Sequence, residues 1–354
     1  MRMDIIRLRF QVLPNISPDH FMQIVRLLLL LNLFLIVLTG CQQKQANQSY
    51  GYVERMDPGL DLVLDSAAKG EILADGFEWS EGPLWVESEN MLLFSDIPRN
   101  AIFKWTEAAG IEPYLSPSGF TGENFKGREP GSNGLLLNSA GKLVMCQHGD
   151  RRMAVMNSAV TDPKPEFQTL VDRYQGKRLN SPNDAVFDRA GNLFFTDPPY
   201  GLPGNVEDPE KELSFQGVYK LKPDGTVILL VDSLTRPNGI GFSPDEKTLY
   251  VANSEGEAAK WYAFDVAGDS LKNARIFYQT PFVAGQKGAP DGLKVDRYGN
   301  IFATGPGGIW IFDSTAKVLG RIRLPEATAN CALSADGKFL YLTSDMYLAR
   351  IALK

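Results

Sequence analysis

The feature that most constrains this chain is a hairpin that recurs. Between Asn183 and Asp197 a polar corner leads into a short alternating strand, a Gly-Asn turn at Gly191 and Asn192, and an apolar strand. Such a unit reads as a β-hairpin with polar groups at both exits. Relatives of it begin at Glu81, Asn133, Asn238, Asp291 and Asn330. The six starting points stand 52, 50, 55, 53 and 39 residues apart. A period of about 40–50 residues built from short strands is the mark of β-propeller blades. Candidate outer strands fall where a blade needs them, at Ala101 to Trp105, Gly217 to Leu221, Val227 to Val231, Lys260 to Phe264 and Gly308 to Phe312. Helical periodicity is absent. The expected fold is all-β, a single six-bladed β-propeller. Its closing blade should join the C-terminal strand, Tyr347 to Leu353, to an N-terminal strand from the region Asp61 to Phe77, which removes two open sheet edges.

The N-terminus follows other rules. Leu27 to Leu38 is apolar except for Asn32, follows Arg26, and is short for a membrane span. It runs into Leu38-Thr39-Gly40-Cys41, which resembles a bacterial lipobox, so Cys41 is expected to become the acylated first residue of a mature lipoprotein. Pro14, Pro18 and Asp19 are unusual in a signal segment, and a start at Met22 leaves a more ordinary one. The expected division is a signal peptide over 1–41, a tether over 42–58 rich in Gln, Asn and Ser, and the propeller over 59–354. Gln42 after the cysteine fits outer-membrane sorting, so the expected location is the bacterial cell envelope, lipid-anchored, at the outer membrane or facing the periplasm. A net charge of −6 with no basic run after residue 41 argues against a nucleic-acid partner. Cys146 and Cys331 lie in apolar strands of different repeats and are expected to be buried free thiols. No zinc-type Cys/His spacing exists, and His20 and His148 are the only histidines.

The first polar residue of each repeat is Glu81, Asn133, Asn183, Asn238, Asp291 or Asn330, and all six carry a side-chain oxygen. Equivalent positions in a propeller surround the central axis at one height. Oxygen ligands suit a hard divalent cation, Ca²⁺ first and Mg²⁺ second. Two of the six are acidic, and without a cation they would repel, forcing one to hold a proton. Turn chemistry accounts for the four Asn residues, but Glu is too long for an Asx turn.

At these residues the chain resembles the gluconolactonase and senescence-marker-protein family, the regucalcin-like lactonases, and most of all the bacterial gluconolactonase branch. The resemblance spans about residues 71–345. Its carriers are Glu81-Gly82-Pro83-Leu84-Trp85, Cys146 to Arg152, Ser181-Pro182-Asn183-Asp184, Thr196 to Gly201, Arg236-Pro237-Asn238-Gly239 and Pro290-Asp291-Gly292. It implies a metal-dependent hydrolase of sugar lactones with metal ligands at Glu81, Asn238 and Asp291. Asn183 is implied as a further ligand or a substrate contact, and Zn²⁺ stays open beside Ca²⁺ and Mg²⁺. A bound ion would polarise the lactone carbonyl and stabilise the oxyanion formed when water attacks. Asp291 resembles the family's general base, and His148 is the second candidate. Asn133, Asn183, Arg151 and Arg178 are the expected substrate contacts. In the animal branch an Arg stands two residues before the substrate-contacting Asn; here that position is Ser181, so Arg151 or Arg178 would have to replace it. A non-catalytic, surface-tethered propeller with a structural calcium, or a related arylesterase or phosphotriesterase, remains the alternative. Rim loops such as Ser116 to Pro130 and Pro203 to Phe215 would choose the substrate, and their path is not legible in the pattern.

Overall fold

Six antiparallel sheets account for nearly all the regular structure of the computed structural model, which describes residues 49–255, 259–281 and 283–354. The signal segment and Cys41 lie outside the described residues. Three short 3₁₀ turns, Pro58–Leu62, Glu87–Glu89 and Asn205–Glu207, are the only helical segments among those described.

Each blade begins on an innermost strand at a repeat head. These are Ser80–Val86, Ser132–Leu137, Ala185–Phe187, Pro237–Phe242, Leu293–Val295 and Thr328–Leu333. Each innermost strand lies beside those of the blades before and after it, and the sixth lies beside the first, so the ring is closed. The final sheet holds three C-terminal strands and Glu71–Ala74, which pairs antiparallel with Tyr347–Ala352. The closure expected from the sequence is the one found.

The blades meet in six apolar seams. In the second-to-third seam Val144, Cys146 and Val155 pack against Phe195, Tyr219 and Leu221. In the sixth-to-first seam Tyr341 and Leu348 pack against Leu92, Phe94 and Trp105, and Trp85 stacks on Tyr341 with 5.3 Å between ring centroids. A strand with a neighbouring blade on each face has no solvent side, so Met91–Asp96, Leu143–Gln147 and Leu193–Asp197 are buried at every residue. Cys146 and Cys331 are buried and free, as expected, and they occupy different seams. Within a blade the hairpin turn follows its sequence signal: Gly191 takes φ +82°, a conformation that strains other L-residues, while Asp188 accepts the Asn192 N–H at 2.8 Å.

One boundary needs correction. The segment expected as tether over 42–58 contains Tyr52–Arg55, which pairs with Val318–Arg323 as a fifth strand of the fifth sheet. Tyr50 and Leu60 are buried in the seam between the fifth and sixth blades. The polar alternation Tyr-Val-Glu-Arg hid this strand because it occupies a sheet edge, where one face stays wet.

Candidate active site

The repeat heads are aimed by two devices that recur from blade to blade. First, an acid or amide at the end of the second strand accepts backbone N–H groups from the corner that precedes the head. Asp96 accepts from Glu78 and Trp79, Asp197 from Asn180 and Ser181, and Asn253 from Arg236. The cost of this burial shows at Asp197, whose carboxyl is pushed up to about 7, mainly by desolvation. Second, a hydroxyl just before that residue reaches the next blade's head. Ser95 donates to the Asn133 carbonyl at 2.9 Å and Thr196 to the Asn238 carbonyl at 2.7 Å. The glycine after the head completes the fit. At Gly82, with φ +52°, a Cβ would lie 2.0 Å from the Asn133 carbonyl oxygen, and at Gly292 one would lie 2.0 Å from the Asn330 side chain. Glu-Gly, Asn-Gly and Asp-Gly pairs therefore exist because neighbouring blades touch there.

These devices bring four heads to one mouth of the channel. Glu81, Asn183, Asn238 and Asp291 line a single cavity of about 370 Å³, together with Trp79, Glu129, Tyr200, Ser254 and Thr328. Asn238 donates its Nδ2 to Ser254 Oγ at 3.0 Å, which leaves its Oδ1 buried without a donor. Asn133 Oδ1 and Asp291 Oδ1 are likewise buried without a donor. Glu81 is 2% exposed and accepts the Gly82 N–H, at 2.8 Å, on Oε2.

The electrostatics agree with the geometry. Burial, with the charge of Asp184 added, pushes the Glu81 carboxyl up to about 7. Asp291 is pushed well above the usual carboxylate range, by burial first and by Glu81 next; Asp184 and Glu129 add to it. Two buried acids, beside the donorless oxygens of Asn238 and Asp291, form a site short of positive charge. Below the mouth the channel supplies its own cation: Lys294 Nζ lies 3.4 Å from Asp184 Oδ2 and 3.3 Å from Asn330 Oδ1. No such partner faces the mouth among the described residues. Nor do three His, Cys, Asp or Glu side chains gather in one group among them. Two carboxylates plus amide oxygens fit a hard divalent cation, Ca²⁺ or Mg²⁺, and do not fit the nitrogen and sulfur preference of Zn²⁺.

Other expected site residues lie elsewhere. Arg151 is buried, and its guanidinium donates to the carbonyls of Leu179, Asn180 and Glu210. It holds the corner before Asn183 and does not line the cavity. Arg178 donates to the Asp150 carbonyl at 3.0 Å, also away from the cavity. Neither lines the cavity where the missing Arg contact would stand, and each gives donors to main-chain carbonyls of the loops. Asn133 holds its ring position but does not line the cavity either. His148 is fully buried, one layer back, with Nδ1 2.9 Å from Glu129 Oε2. Glu129, Ser254 and Trp79 escaped the sequence reading. All sit in corners or loops, outside the repeated strands.

The fold and the site define a six-bladed propeller that gathers two acids and buried amide oxygens at one channel mouth. The family model described as SMP-30/Gluconolactonase/LRE-like region matches residues 79–346, and the chain belongs to that family. It is 38% identical to a gluconolactonase of Zymomonas mobilis over 330 residues, 90% of this chain and 91% of that protein. A pentonolactonase of Haloferax volcanii is 26% identical, covering 75% of this chain and 80% of that one. Among solved structures, a gluconolactonase from Xanthomonas campestris superposes with a TM-score of 0.74 at 30% identity, covering 89% of this chain and 100% of that one.

Proposed function

We propose that the protein is a lactonase that opens the ester bond of a sugar lactone, and that it works with a divalent cation, Ca²⁺ before Mg²⁺. The observation that carries this reading is the convergence of Glu81, Asn183, Asn238 and Asp291 on one cavity, with buried oxygens lacking donors. Identity to gluconolactonases over most of the chain supports the reaction class.

Glu81, Asn238 and Asp291 would hold the ion, with Asn183 completing the set or binding substrate. A cation there supplies positive charge that stabilises the oxyanion developing at the lactone carbonyl. The chain does the rest. Asp291, the acid with an orphan oxygen on the cavity, takes the proton of the attacking water. It returns that proton to the ring oxygen as the acyl–oxygen bond breaks, leaving a hydroxy acid. His148 is the weaker base candidate, because Glu129 stands between it and the cavity. Ser254 orients Asn238, and the walls of the cavity fix the lactone against the acid pair. Export and acylation at Cys41 would tether the enzyme to the cell envelope with the propeller outside the cytoplasm.

The test is hydrolysis of a panel of sugar lactones, aryl esters and phosphotriesters, with and without EDTA, beside metal analysis of the purified protein. Chelation should abolish lactone turnover, and Ca²⁺ or Mg²⁺ should restore it. Absence of metal-dependent turnover across the panel overturns the reading.

A further inference from the structure

The loop between the first and second blades, residues 116–131, ends over the mouth and is firmly held. Asn100 Oδ1 accepts the N–H groups of Ser118, Gly119 and Phe120, and its Nδ2 donates to the Phe120 carbonyl at 2.8 Å. Gln147 donates to the Ser118 carbonyl at 2.8 Å, and the His148 N–H to the Gly131 carbonyl at 3.2 Å. The loop thereby brings Glu129 to the cavity that holds the ring carboxylates.

Glu129 differs from every other acid there. It is not a repeat head, and one of its oxygens is already engaged: Oε2 stands 2.9 Å from Nδ1 of His148, whose side chain is wholly buried. A proton must lie between those two atoms, so the contact fixes the orientation of the carboxylate. Oε1 accepts no hydrogen bond from the described residues, and the side chain keeps 31% of its surface open. His148 Nε2 is buried with no partner, so the imidazole serves the cavity only through Glu129. A fixed carboxylate with a free oxygen is a strong acceptor for hydroxyl groups. It is also out of the ring in which a cation would be shared.

Resting on the lactonase reading above, we propose that Glu129 is a specificity-determining residue. Its Oε1 accepts hydrogen bonds from the ring hydroxyls of a polyhydroxylated lactone, and His148 is the positioning residue that holds it there. The enzyme then selects sugar lactones over unsubstituted lactones of the same ring size, because only the former satisfy this acceptor once it is covered.

The test compares Glu129→Gln with the wild type on δ-gluconolactone and δ-valerolactone, after thermal melts show that both fold. The ratio of their kcat/KM values should fall about tenfold to hundredfold, chiefly through KM for the hydroxylated lactone. His148→Gln should lower the ratio in the same direction, and the double variant should be no worse than Glu129→Gln alone. An unchanged ratio overturns the proposal. A titration with 1,5-anhydroglucitol, a polyol ring with no ester to open, separates this claim from the reaction. Binding at least tenfold weaker in Glu129→Gln supports it, and equal or undetectable binding in both proteins overturns it. Loss of wild-type turnover on both lactones would count against the lactonase reading, with the titration still deciding the role of Glu129.

Discussion

At the scale of single residues, Glu81 carries the largest consequence. Its folded carboxyl sits near 7 against an ordinary value of 4.5, so the metal-free folded protein binds more protons than the unfolded chain between those values. Stability of the metal-free protein must therefore fall as pH rises from about 4.5 to about 7. Asp197, also raised to about 7, adds to the same slope. Thermal melts in EDTA across this range should show the fall, and Glu81→Gln should flatten part of it. At pH 7.5 in EDTA that variant should be as stable as the wild type or more so. It should nonetheless lose metal binding and lactone turnover, and full turnover in Glu81→Gln would remove the proposed site. A second residue prediction follows from contact between blades. Gly292→Ala places a methyl group against the Asn330 side chain and should cost about 1–3 kcal/mol in chemical denaturation.

At the scale of elements, the inner hairpins were legible because their period, their turn glycines and their doubly buried strands all point the same way. The outer strands Gly217–Leu221, Val227–Val231 and Gly308–Phe312 match expectation end to end. The heads were legible for the same reason, since register alone puts Glu81 and Asp291 at one height. What stayed hidden lies off the repeat. Glu129 reaches the mouth on a loop, whose course depends on contacts such as Asn100 to residues 118–120 that no spacing announces. Arg151 misled because an arginine beside a repeat looks free to meet substrate, whereas three main-chain carbonyls claim it. The seams carry their own prediction. Tyr341→Ala removes the ring stacked on Trp85 between the last and first blades and should cost about 3–5 kcal/mol. Tryptophan fluorescence should report that unfolding transition.

At the scale of the whole molecule, stability depends on an arm from the start of the described chain. Removing residues 49–78 would strip Tyr52–Arg55 from the fifth blade and Glu71–Ala74 from the sixth. It would also free Arg350 from Glu71 and expose the edge of Tyr347–Ala352. A melting temperature lower by about 10 °C or more, with self-association by light scattering, is the expected outcome. Retention of the wild-type melt would show that the three C-terminal strands close the ring unaided.

That clasp also sets an order in time. Glu71–Ala74 is made well before its partner strand Tyr347–Ala352. Until then the early segment has no edge to join, and the ring has no means of closing. A nascent chain built this way keeps its ring open until Tyr347–Ala352 has been made, however much of the propeller precedes it.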